Sequence, residues 1–335
     1  MGEVVEAGSL EGVASTTLKK LHKAGLVTLE SIAVTPPRQI VELTGMGADT
    51  ALKVNALARL KVDPGFVSAT EVLEMRGHMR RCRTGSNQLN RILGGGVETG
   101  VITELIGEFA SGKTQICYTL SVLAQRPVEE GGFGGRVCVI DTEGTFFPER
   151  IVQIAKDRGY DPNEILSNIF IARAYNSEHQ IILIKNLPQV CQEHDVKLVI
   201  VDSMIGHFRG EYIGRGTLAE RQQKLGNALG NLLRIAEAFS LAVVITNQVQ
   251  AKPDTTYGDP NRPTGGHVMA HACTHRVYLR KGRANTRLVQ VIDSPYLPEE
   301  KVRIAITPAG VTDEDGSFPT LDDEDEEART SIEEE

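Results

Sequence analysis

From residue 81 to about 320, short continuous apolar runs alternate with longer segments of helical spacing. The runs at 101–106, 136–141, 168–173, 197–202 and 241–247 read as strands buried on both faces. Further β segments at 275–280, 287–292 and 302–306 are expected to join as antiparallel additions. Such alternation predicts an α/β core, with a mostly parallel central sheet covered by helices on both faces. Ligands of such sheets sit at the carboxyl ends of the strands. Upstream the pattern changes. Residues 9–60 read as short helices separated by turns, a small all-α domain within 1–60. The run Lys61-Val62-Asp63-Pro64-Gly65 breaks the helical spacing, so 61–80 reads as a linker. The core is then expected over 81–321 and a tail over 322–335.

Composition narrows the setting. The 335 residues, 41% of them apolar, suffice for one large core and one small domain. No apolar run approaches the roughly 20 residues of a membrane helix. The start Met1-Gly2-Glu3-Val4-Val5-Glu6 lacks a signal-peptide pattern, and Glu6 falls where N-myristoylation needs Ser or Thr. Five scattered cysteines (Cys82, Cys117, Cys138, Cys191, Cys273) form no C-x-x-C pair. Neither a disulfide framework nor a zinc site is expected, and the compartment is expected to be reducing and cytoplasmic. The net charge of −8 resides in the tail, where 322–335 carries nine acids and one base. Without it, 44 acids and 36 bases become 35 of each. A neutral body neither excludes nor demands nucleic-acid binding. The tail is expected to be disordered, serving either solubility or competition with DNA phosphates for basic loops.

The chemistry is concentrated at the predicted strand ends. Gly107-Glu108-Phe109-Ala110-Ser111-Gly112-Lys113-Thr114 fits G-x-x-x-x-G-K-[ST], between a predicted strand and a helix over 115–123. Glycines let backbone N–H groups turn inward on anionic phosphates, and the helix N-terminus adds partial positive charge. Lys113 would reach the β- and γ-phosphates of a nucleoside triphosphate, and the Thr114 hydroxyl would bind Mg²⁺. About 95 residues on, the strand 197–202 ends in Asp202, placed to hold the same ion. Glu143, after the strand 136–141, is either a general base for water or a helix-capping acid. Asn247 and Gln248 end the strand 241–247, where a neutral amide can orient water or sense a γ-phosphate.

Two long polar stretches follow these ends. One, 208–216, holds Arg209, Tyr212 and Arg215 and runs into a helix with Arg221 and Lys224. The other, 250–266, holds Lys252 and Arg262. They read as solvent loops or as the wall of a channel for single-stranded nucleic acid. In the small domain, Leu43-Thr44-Gly45-Met46-Gly47 has the apolar-x-Gly-apolar-Gly pattern of a helix-hairpin-helix. Gly45 and Gly47 would admit a DNA phosphate to backbone N–H groups; the alternative is plain helical packing. An earlier copy at 10–14 has Ala14 in place of its second glycine. Phe66 follows Pro64-Gly65 and either packs on its own domain or anchors in a neighbouring subunit.

Over about 9–320 the chain resembles the archaeal RadA branch of the RecA recombinase superfamily. The resemblance lies in the segments 84–100, Asp141-Thr142-Glu143-Gly144-Thr145-Phe146, Ile245-Thr246-Asn247-Gln248-Val249 and the linker Phe66-Val67-Ser68-Ala69. It implies a RecA-like P-loop ATPase core plus a helix-hairpin-helix N-terminal domain. It also implies ATP and Mg²⁺ as cofactors, with 107–114 and Gln115 at the nucleotide and Lys113, Glu143 and Gln248 in catalysis. Arg150 matches a residue that stacks on adenine, and Pro298 a cap from the neighbouring protomer. His271 matches a γ-phosphate sensor at the interface, unless it is a packed histidine. Phe66 and Ala69 match a polymerisation motif. Arg209, Tyr212 and Arg215 match a first DNA-binding loop, and 250–266 a second. The implied activity is ATP-dependent strand exchange in homologous recombination and double-strand break repair. The implied partners are single- and double-stranded DNA, further copies of the chain and recombination mediators. The implied place is the nucleoid of an archaeal-type cell. A ring-forming helicase or a non-enzymatic mediator is the alternative; the linker motif disfavours the first, and intact Lys113, Glu143 and Gln248 the second. Two departures stand out: Ala110 where glycine is usual, and Phe147 where a polar residue is common.

Overall fold

The computed structural model describes residues 10–62, 66–214, 216–251 and 261–318. Four helices come first: α1 (Ser15–Lys23), α2 (Leu29–Val34), α3 (Pro37–Thr44) and α4 (Ala48–Lys61). They enclose their own core of Leu18, Leu21, Ile32, Ile40, Ala51 and Val54. Asn55, buried among them, donates its amide to the carbonyls of Ile32, Ala33 and Thr35. Within the stretch read as linker lies a helix, α5 (Ala69–Gly77), opened by a capping box between Ser68 and Glu71. It buries none of its own residues, so no apolar stripe signals it.

The core follows as β1 (Arg81–Cys82), α6 (Asn87–Ile92), β2 (Val97–Glu98), β3 (Ile102–Gly107), α7 (Lys113–Leu123), β4 (Arg136–Asp141), α8 (Pro148–Asp157), α9 (Pro162–Ser167) and β5 (Ile169–Arg173). Then come α10 (Ser177–His194), β6 (Val196–Asp202), α11 (Gly206–Glu211), α12 (Leu218–Phe239), β7 (Ala242–Ala251), β8 (Asn261–Pro263) and α13 (Gly266–Ala272). The last strands are β9 (His275–Lys281), β10 (Thr286–Asp293), β11 (Lys301–Thr307) and β12 (Gly310–Asp313).

Among the described residues the main sheet runs β12-β11-β10-β9-β3-β7-β6-β4-β5, with β8 paired to β7. Its central strands are buried on both faces, which explains their unbroken apolar runs. Leu198 and Ile200 of β6 pack toward α6 and α7, while Val199 and Val201 pack toward α10 and α12. Truncating one such side chain to alanine costs about 2–5 kcal/mol.

Three expectations are revised. The segment 275–281 pairs parallel with β3, so of those C-terminal segments β10, β11 and β12, not β9, are the antiparallel additions. An apolar run does not encode strand direction. The polar stretch at 208–216 begins inside α11 rather than as loop. Residues 249–251 extend β7 and pair antiparallel with 261–263, making a two-stranded ribbon. The helical domain sits on the core where Gly25 meets Pro188 of α10; a Cβ there would fall 1.6 Å from that of Pro188. Gln39 donates to Asn231 of α12 at 2.6 Å beside it.

Candidate active site

Sheet register alone aligns the chemistry. Gly107 of β3 lies opposite Gln248 of β7, and Asp141 of β4 opposite Asp202 of β6. Between β3 and α7 the chain turns through 107–112. A Cβ on Gly107 would meet the Leu279 carbonyl and Ser111 Oγ at 2.5 Å, and Gly112 has φ +105°, so neither position accepts another residue without strain. Ala110 holds φ +59°, the left-handed region that glycine occupies more cheaply.

Lys113 Nζ crosses the loop and donates to the carbonyls of Gly107 at 2.9 Å and Glu108 at 2.8 Å. Burial lowers its pKa, against the charges of Asp202 and Glu143, which favour the ammonium. Thr114 Oγ1 donates to Asp202 Oδ2 at 2.7 Å, and Thr246 Oγ1 donates to Asp202 Oδ1 at 2.5 Å. Burial raises the Asp202 pKa, and those two hydroxyls partly counter it. The site thus brings together an ammonium, a hydroxyl and a carboxylate at the mouth of a backbone loop. The hydroxyl of Thr114 and the carboxylate of Asp202 are hard oxygen donors of the kind Mg²⁺ takes beside phosphates.

Glu143 stands on a turn that Asp141 organises. Asp141 Oδ1 accepts the amides of Glu143, Gly144 and Thr145 at 2.8–3.3 Å. Glu143 Oε1 in turn accepts Gln248 Nε2 at 2.9 Å. The Asn247–Gln248 pair divides its work. Asn247 is buried and donates to Glu104 Oε1 at 2.6 Å and to the Thr264 carbonyl at 2.7 Å. Glu104, also buried, accepts Arg276 Nε at 2.6 Å. Asn247 therefore lies outside the phosphate chemistry, and only Gln248 faces Glu143.

Toward the other end of the pocket, Arg150 Nε donates to Gln115 Oε1 at 2.8 Å, and its Nη2 donates to the Thr307 carbonyl at 2.6 Å. The guanidinium is thereby fixed in one plane. Phe109, Phe147 and Pro298 are exposed, and nothing in the structure explains Phe147. His271, on α13, is exposed rather than packed, with its ring 6.0 Å from that of His267.

A family model described as Rad51 matches residues 75–314. The DNA repair and recombination protein RadA of Cenarchaeum symbiosum (strain A) is 44% identical over 328 residues, which covers 96% of this chain and 82% of that protein. The chain belongs to the Rad51 family. The Rad51 match opens inside α5, so the helical domain and Phe66 precede it. The RadA relative aligns over nearly the whole chain, those segments included. The remaining residues named from the sequence are spread over the surface of this Rad51-family chain. Phe66 and Ala69 are exposed, Phe66 fully, so its own domain does not cover it. Arg209 is exposed on α11, Arg262 is exposed on β8, and Gly45 and Gly47 lie exposed between α3 and α4. Tyr212 and Arg221 are half-buried, and Lys224 Nζ donates to Tyr212 Oη at 2.7 Å. Arg215, Lys252 and the tail 322–335 lie outside the described residues. No described helix is long and apolar enough to cross a membrane.

Sequence reasoning passed over Asp141, Thr246 and Tyr118. Tyr118 Oη donates to the Thr145 carbonyl at 2.5 Å and accepts the Phe147 amide at 2.9 Å, bracing the Glu143 turn from α7. Their signal was faint: each is a polar residue inside or just beyond an apolar run.

Proposed function

We infer that this Rad51-family protein is an ATP-dependent DNA strand-exchange recombinase acting in homologous recombination and repair. Copies of the chain assemble on single-stranded DNA, pair it with a duplex and exchange strands. The observation that carries the reading is the path of β7. One strand holds Thr246 on Asp202 and Gln248 on Glu143, then continues without a break into the ribbon with β8. A change in hydrogen bonding at Gln248 therefore acts on the root of the DNA-facing segment.

Within the site the roles divide by chemistry. Backbone amides of 107–114 and the start of α7 receive phosphate oxygens. Lys113 moves its ammonium from loop carbonyls to the β- and γ-phosphates. Thr114 and Asp202 would hold Mg²⁺, which would supply positive charge against the phosphates. Glu143 accepts the proton of the attacking water, and Gln248 orients that carboxylate. Gln115 positions Arg150 against the adenine. His271 and Pro298 complete the site from a neighbouring copy, and Phe66 with Ala69 seats in that copy. Arg209, Tyr212, Arg215, Arg221, Lys252 and Arg262 grip single-stranded DNA through phosphate and stacking contacts, largely blind to sequence.

Gly45 and Gly47 serve duplex DNA. Gly47 has ordinary extended geometry, and a Cβ on it would meet nothing within 4 Å. The fold itself does not require glycine there; a DNA backbone approaching those amides would. Recombination mediators are expected as further partners. The test is a strand-exchange assay with wild type and Lys113→Ala. Joint molecules should form only with the wild type, and their formation by the variant would contradict the reading.

A further inference from the structure

Glu98, on β2, is 1% exposed, and four elements converge on it. Arg76 Nη2 from α5 donates to Oε1 at 2.8 Å, and Arg81 Nη2 from β1 donates to Oε2 at 3.2 Å. Tyr296 Oη, from the loop that carries Pro298, donates to Oε2. His275 Nε2, from β9, lies 3.9 Å from the same oxygen. The rings close the cluster. The Arg76 guanidinium sits 5.2 Å over the Tyr296 ring, and the His275 and Tyr296 rings meet edge to face at 5.4 Å. Ser294 Oγ lies 3.1 Å from His275 Nδ1 and accepts the Leu297 amide at 3.0 Å, which shapes the turn that presents Pro298.

Burial alone would push the Glu98 carboxyl up. Nearby His275, the hydrogen bond from Tyr296 and the charges of Arg81 and Arg76 outweigh it and hold the group at about 2. The carboxylate is therefore held ionised near neutral pH, and its bonds to Arg76 and Arg81 are charge-assisted. One of those bonds reaches the assembly segment. Helix α5 starts three residues after Phe66, buries none of its own residues, and is anchored to the core through Arg76.

We propose that Glu98 is a positioning residue that couples the assembly linker to the nucleotide cap. Seating Phe66 on a neighbour sets α5. Arg76 and Glu98 pass that placement to Tyr296, and Tyr296 sets where Pro298 meets the neighbour's adenine. Linker and cap are thus offered to the same neighbour as one unit. The proposal rests on the roles given above to Phe66 and Pro298.

Full-length Arg76→Gln and Tyr296→Phe test it. In nucleotide-free protein, hydrogen exchange at the Leu297 amide should accelerate roughly tenfold in Arg76→Gln, as expected for loss of one charge-assisted bond. In filaments on single-stranded DNA, either variant should raise the KM for ATP roughly five- to tenfold and leave kcat within about twofold. The double variant should be no worse than the singles, because both cut one connection. In an assembly-blocked Phe66→Glu background, neither change should alter binding of a fluorescent ATP analogue. Equal losses in assembled and blocked protein, additive KM effects, or unchanged Leu297 exchange would overturn the coupling and leave Glu98 a buried ion cluster. If Phe66→Glu itself assembles and turns over like wild type, the assembly reading fails instead. The exchange rate at Leu297 still reports on Arg76 in that case, so the two failures are distinguishable.

Discussion

At the phosphate end of the pocket, Lys113 with its loop carbonyls, Thr114 with Asp202, and Glu143 with Gln248 are joined by hydrogen bonds of 2.7 to 2.9 Å. Lys113 and Asp202 are buried. At a second, open region Phe66 and Pro298 stand exposed, and α5 buries none of its own residues. In the first region the contacts named are all made within one chain. The second leaves apolar surface uncovered: a fully exposed phenylalanine lies beside exposed Val67 and Leu73, the kind of patch that marks an interaction surface. The difference separates two kinds of work: making phosphate chemistry available, and deciding when it is used.

The sharpest way to break the comparison is at Glu143. Glu143→Gln should lower DNA-stimulated kcat for ATP roughly 10³-fold. Nucleotide affinity should stay within about threefold, since the amide keeps its place beside Gln248. A comparable loss of affinity would mean that Glu143 binds rather than activates. Next comes the open end. Phe66→Glu should cut DNA-stimulated turnover on the order of 30-fold or more, the scale of a central interface anchor. The thermal midpoint of the free chain should not move, because the side chain contacts nothing in its own domain.

A third test concerns the junction between the ends. The Glu98 carboxyl is depressed from 4.5 to about 2 in the folded chain. A depressed carboxylate contributes stability above its unfolded value and loses it as pH falls through the folded one. The contribution, about 3 kcal/mol by linkage, should be complete above pH 4.5 and gone near pH 2. Urea unfolding of wild type and Glu98→Gln should therefore differ most near neutral pH and converge in acid. The smallest effect is expected at Ala110. Relief of its left-handed backbone in Ala110→Gly is offset by added freedom in the unfolded chain, so stability should change by less than about 1 kcal/mol.

Much of this architecture was legible because a parallel sheet advertises itself. Strands buried on both faces leave apolar runs, and the residue that ends each run sits at the ligand edge. Asp202 and Glu143 were picked out that way, and 107–114 by its own glycine-lysine pattern between a strand and a helix. What stayed hidden has a common cause. The direction of β9 depends on which neighbour it pairs with, and no periodicity records that. Helix α5 buries none of its own residues and is held through Arg76, so it carries no apolar stripe. The β7–β8 ribbon joins polar segments flanking residues that read as loop. Asn247 looks like a phosphate sensor until its partner Glu104, buried at the centre of β3, is known. Asp141 and Glu98 hold other groups in place, and a carboxylate that accepts backbone amides or arginines has no spacing rule of its own.

The measurement that bears most directly on the account is ATP turnover per chain as a function of chain concentration, at saturating single-stranded DNA. A nucleotide site completed by a second copy predicts turnover per chain that climbs with concentration and then levels as chains assemble. Turnover per chain that is already maximal at concentrations where the protein is monomeric would contradict it.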